Sequence, residues 1–100
     1  MELRGFENYL ELTKNCSSKS IKSKMDNLNC VINTCRINLN EAISSPENMI
    51  KSRKKIYKVA ANRHLAEGYY NALRAYYEFM NGVKAPTLKE FSLNNNDNIK

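Results

Sequence analysis

Between residues 21 and 35, five apolar side chains (Ile21, Met25, Leu28, Ile32 and Cys35) follow one another at steps of 4, 3, 4 and 3. That spacing matches the turn of an α-helix and draws one apolar stripe along it. Lys19, Lys22, Lys24 and Asp26 fall off the stripe. Ser17 or Ser18 can cap its start, because a serine hydroxyl accepts an orphan amide proton. A helix with a single apolar stripe must bury that stripe against a partner.

The rest of the chain offers such partners with the same periodicity. Leu3, Phe6, Tyr9, Leu10 and Thr13 form a short first helix, interrupted by "NCSS". "RINLNEAISS" reads as a turn and a helical fragment. "SSPEN" then opens a third main helix, with Ser45 as N-cap, Pro46 at the first helical position and Glu47 near the positive helix end. It runs to about Val59 or Ala60 and buries Met49, Ile50, Ile56, Tyr57 and Ala60. The last helix spans residues 62–82. Its stripe is Leu65, Tyr69, Leu73 with Ala72, Tyr76 and Met80, and Tyr70, Tyr77 and Phe79 widen it. Gly82 suits the left-handed residue after a helix end, and Pro86 would prevent continuation. Gly68 costs about 1 kcal/mol against alanine, so it marks a close helix contact or a break. No segment alternates apolar and polar residues for long. The expectation is an all-α bundle of four to five helices, one domain over residues 1–88, with an asparagine-rich flexible tail over 89–100.

Several function classes lose their basis at this stage. No apolar run is long enough for a transmembrane helix or a signal peptide, so no membrane partner and a cytoplasmic location are expected. Cys16, Cys30 and Cys35 match no zinc spacing, and His64 has no partner motif; reduced, partly buried thiols are expected. No paired carboxylates, nucleophile–base signature or glycine-rich phosphate loop occurs. The expectation is therefore a non-enzyme without cofactor or metal.

Charge is more informative. The chain carries a net +6, and residues 16–60 hold nine cations against three anions. A localised basic surface points to a polyanion, most often nucleic acid. Within "KSRKKIYK", Lys51, Lys54, Lys55 and Lys58 recur at three- and four-residue steps and share a face, with Arg53 adjacent. The tyrosines admit two roles. Tyr69 and Tyr76 read as core, whereas Tyr70 and Tyr77 either complete the core face or point outward, where they could stack on bases or meet a protein.

In helix order and in two motifs the chain resembles the N-terminal core-binding, SAM-like domain of phage integrases and other tyrosine recombinases. "SIKSKMDNLNCVIN" (residues 20–33) is similar to that family's second helix, usually of the form T-x-x-x-Y-x-x-x-L. "YNALRAYYEFMNG" (residues 70–82) is similar to its last helix, with "KAPTL" as the following break. "FENYLEL" suits the first. The resemblance covers about residues 4–88. It implies a helical bundle gripping one side of duplex DNA, mostly by backbone contacts, while a separate C-terminal domain carries the catalytic arginines and tyrosine. Under it Ser20 matches the Ser/Thr opening helix two, Lys24 replaces the usual Tyr, and Arg74 matches the arginine of "ALR". The family's Thr and basic residues before that motif are replaced here by Leu65, Gly68 and Tyr69.

The expected function is double-stranded DNA binding through phosphate contacts, within DNA integration or recombination by a mobile element. The expected contact residues are Lys19, Ser20, Lys22, Lys24, Lys51, Arg53, Lys54, Lys55, Lys58 and Arg74, with a catalytic domain or another protein as a further partner. The alternative is a helical protein-interaction module that exposes Tyr70, Tyr77 and Phe79. A third reading is single-stranded nucleic acid or RNA binding by tyrosine stacking.

Overall fold

A computed structural model describes residues 3–85. The described residues form five helices: α1 (Arg4–Leu12), α2 (Ser18–Asn33), α3 (Leu39–Ala42), α4 (Pro46–Val59) and α5 (Arg63–Asn81). There is no strand among them, as the periodicity requires. The expected Pro86 break and the tail over 89–100 lie outside the described residues.

Leu3 opens α1 without a side-chain cap, whereas short polar side chains set the starts of α2, α4 and α5. Ser17 Oγ accepts from the Ser20 amide at 3.2 Å, Ser45 Oγ from the Asn48 amide at 3.1 Å, and Asn62 Oδ1 from the Leu65 amide at 2.9 Å. Each such cap contributes about 1 kcal/mol. The helix ends differ in kind. α5 stops at Gly82, whose φ of 72° is the left-handed conformation that glycine enters without steric cost. α1 and α2 instead share one turn built on non-glycine residues. Cys16 N donates to Leu10 O and Ile37 N to Val31 O, each at 3.1 Å. The reversing residues, Asn15 and Arg36, both sit at φ 54°. Asparagine tolerates that region, whereas an arginine Cβ there costs about 1 kcal/mol.

α5 is the central helix, with α1, α2 and α4 packed around it. α2 runs antiparallel to it: Asn27 faces Gly68, and nearer the start of α2, Lys24 shares a groove with Asn71 and Arg74. A Cβ on Gly68 would lie 3.2 Å from the Asn27 amide nitrogen. α5 passes through this point unbroken, so Gly68 marks a close helix contact. α1 is anchored by rings. Phe6 meets Tyr76 edge-on at 5.5 Å between centroids, and Phe79 lies 5.6 Å from Phe6 and 5.2 Å from Tyr9. The core gathers Phe6, Leu10, Leu28, Val31, Leu39, Met49, Ile56 and Leu73, all almost fully buried.

The expected face of α5 is corrected by about one residue. Leu65 and Met80 are 37% and 49% exposed, and Tyr69 is only half-buried. The buried positions are Ala66, Tyr70, Leu73 and Tyr77, flanked by Ala72, Ala75 and Tyr76. Both stripes have helical spacing, so periodicity alone does not choose between them. Tertiary packing decides: Ala66, Ala72 and Ala75 lie on the buried face, and the Asn27 side chain of α2 closes on α5 at Gly68. On α4, Tyr57 and Ala60 are half-buried, and Ser52 is buried, which its polarity did not signal.

Candidate nucleic-acid interface

α4 positions the basic row. Its buried side holds Met49, Ile50, Ser52 and Ile56 against α3 and α5. Lys51, Lys54, Lys55 and Lys58 are therefore turned outward, and all four are exposed. At about 100° per residue they occupy an arc of roughly 100° on the helix. Among the described residues the ion pairs are Lys14–Glu78 at 3.2 Å and Arg63–Glu67 at 3.1 Å, and neither includes an α4 lysine. Lys55 Nζ donates instead to the Arg36 carbonyl at 3.1 Å.

Arg53 does not belong to this row. It lies on the opposite side of α4, half-buried, with its guanidinium carbon 4.3 Å from the Tyr57 ring centroid and 5.8 Å from that of Tyr70. Chain adjacency to Lys54 is misleading here, because one residue is about 100° of helix rotation. The row gains a different arginine. Arg36, in the turn after α2, lines a groove of about 280 Å³ with Asn38, Glu41, Asn48, Lys51 and Lys55. Arg36 stands outside the basic runs of α2 and α4 in the sequence. Its charge was visible, but nothing local placed it beside a helix that starts ten residues later.

The α2 cations are dispersed. Lys19 and Lys22 are exposed, and Lys22 shares a groove of about 390 Å³ with Glu7 and Glu11 of α1. Two carboxylates there oppose an anionic ligand. The Ser20 hydroxyl accepts from Ser17 Oγ at 3.2 Å and its amide is capped, so it serves the helix start. Lys24 is half-buried beside the stripe, because that part of α2 turns toward α5. It lines a separate groove of about 290 Å³ with Lys14, Asn71, Arg74 and Glu78. Arg74 is half-buried, and its Nε has no hydrogen-bond partner. No α4 residue lines that groove. The ten expected contact residues thus fall into separate surroundings, and only the four α4 lysines form a continuous exposed row.

The exposed aromatic face is overturned. Tyr70 and Tyr77 are 8% and 7% exposed, and Phe79 is half-buried among Phe6, Tyr9 and Tyr76. Burial pushes the Tyr70 phenol pKa up, against the nearby charges of Arg74 and Arg53, which pull it down. The Tyr76 phenol is also pushed up by burial. Tyr69 is raised chiefly by its hydrogen bond with the Cys30 thiol. Of the α5 tyrosines, Tyr70, Tyr76 and Tyr77 are buried, and Tyr69 alone stays half-buried at the surface. Cys35 is buried, which raises its thiol pKa, while Cys16 and Cys30 are half-buried. Among the described residues no helix is long and apolar enough to cross a membrane.

Comparison with protein-family models, curated proteins and solved structures finds no match to this chain.

Proposed function

We propose that this helical domain binds double-stranded DNA through phosphate contacts from Lys51, Lys54, Lys55 and Lys58. One observation carries the reading: four exposed lysines share one face of α4, and none has a carboxylate partner among the described residues. Their mutual repulsion disfavours the free protein. A row of phosphates removes that cost and releases the counterions condensed on the nucleic acid. Duplex is favoured over single strand because Tyr70 and Tyr77, the rings placed to stack on bases if exposed, are buried. A recombinase-type role, with a catalytic domain on the other side of the duplex, is part of this proposal. It rests on the resemblance of residues 20–33 and 70–82 to core-binding helices.

The test is a fluorescence-anisotropy titration against a random-sequence duplex and its single strand, each at low and moderate salt. Salt-sensitive binding that prefers the duplex is expected. Lys51→Glu/Lys54→Glu/Lys55→Glu, with its helical circular dichroism retained, should abolish it. Unchanged affinity in that variant would refute the reading.

A further inference from the structure

Among the described residues three helix ends reverse through a left-handed residue, and one of them uses a residue unsuited to it. Gly82 and Asn15 fit the conformation; Arg36 does not. Arg36 is nonetheless held there from two sides. The Ile37 amide bonds back to Val31 O at 3.1 Å, and the Arg36 carbonyl accepts from Lys55 Nζ at 3.1 Å. The second bond ties the turn to α4 and keeps the Arg36 backbone beside the lysine row. The exposed Arg36 side chain lies in the groove wall with Lys51 and Lys55. Glycine in this turn would remove the steric cost and also the guanidinium. The groove, at about 280 Å³, falls just below the range of about 300–1,000 Å³ common for small-molecule sites. Its size and its cations suit a single phosphate. Asn38 and Asn48 also line it, while the side-chain amide of Asn48 is held by Glu41 O and Ser44 Oγ. Glu41 is the one acidic residue in the wall.

We propose that Arg36, together with Lys51 and Lys55, clamps one backbone phosphate of the duplex, with the strained turn holding the arginine beside the lysine row. This rests on the duplex-binding reading above and adds a residue and a position to it. Arginine suits the role because its planar fork makes two parallel bonds to a phosphate. Strain retained at a charged groove is the pattern expected where backbone conformation serves a ligand.

Arg36→Gly and Arg36→Asn separate stability from binding, since the two should move in opposite directions. Thermal unfolding should show both variants at least as stable as the wild type, with glycine the more stable. Duplex affinity should fall about tenfold in both, the loss of one charge-assisted contact. The log–log salt slope should become shallower by about 0.9, one phosphate contact fewer. Glu41→Gln should tighten binding severalfold. Unchanged affinity and slope in both Arg36 variants, with binding still abolished by the α4 triple reversal, would overturn the clamp and leave the α4 reading standing. No duplex binding by the wild type would remove both. Thermal stabilisation of the wild type by inorganic phosphate without any duplex binding would overturn the duplex assignment in favour of a free phosphate.

Discussion

The two sides of α5 treat positive charge differently. On the α4 side, Lys51, Lys54 and Lys58 make no ion pair among the described residues, with Glu41 the single carboxylate in the groove beside Lys51, and Lys55 bonds a backbone carbonyl. On the α1–α2 side, cations are compensated or drawn inward. Lys14 pairs with Glu78, which raises the Lys14 pKa through that hydrogen bond and the attendant charge. Lys22 sits by Glu7 and Glu11, and Lys24 and Arg74 are half-buried. The difference teaches that an excess of lysine along a chain is not yet a binding surface. What matters is which cations the packing leaves outward and unneutralised.

The sharpest way to break this comparison is to reverse charge on each side in turn. The α4 triple reversal should abolish measurable duplex binding, a loss of at least about a hundredfold in affinity. Lys19→Glu/Lys22→Glu/Lys24→Glu should cost only severalfold, through the long-range field. Equal losses in the two variants, read by anisotropy, would erase the distinction.

A smaller effect tests the core between the two sides. The Tyr70 hydroxyl is buried without a hydrogen-bond partner. Tyr70→Phe should therefore be neutral or stabilise the domain by about 1 kcal/mol, because an unsatisfied buried polar group costs that much or more. Chemical denaturation measures this, and a loss of stability would show that the hydroxyl is used.

The alkaline limb of the stability curve sharpens the picture further. Every resolved shift is upward: Cys35, Tyr69, Tyr70, Tyr76 and Lys14. A group with a raised folded pKa binds its proton more tightly in the native state. Its stabilisation is complete below the unfolded value and is lost as pH rises through the folded one. Stability should therefore be insensitive to these groups at neutral pH. It should fall first above the ordinary thiol value of 9.0, then above the phenol value of 10.0 and the lysine value of 10.5. Tyr70→Phe should blunt that fall. A profile that stays flat to pH 11 or so would contradict burial of Cys35, Tyr70 and Tyr76.

The smallest effect concerns the Lys14–Glu78 pair. Its lysine side chain is 44% exposed, so Glu78→Gln should cost at most about 1 kcal/mol. Part of that is the bond Glu78 accepts from the Ala85 amide at 3.4 Å. If the α1–α2 side lacks phosphate affinity because its cations are neutralised, the same variant should raise duplex affinity slightly.

The sequence by itself determined the helices and their starts. Ser17, Ser45 with Pro46, and Gly82 act within a few residues of themselves, so their chemistry is local and readable. The lysine face of α4 was legible for the same reason: its period is the period of the helix. The side chains that only the tertiary structure assigned are those whose role depends on a distant neighbour. Arg53 turned to the Tyr57 and Tyr70 rings, Lys24 entered the α1–α2–α5 groove, and Tyr70 and Tyr77 joined the core. Two apolar stripes on α5 satisfied one periodicity, and the close contacts at Gly68 and the buried alanines selected between them. Arg36 reached the lysine row only through the chain reversal after α2, a turn whose left-handed arginine no local propensity would choose.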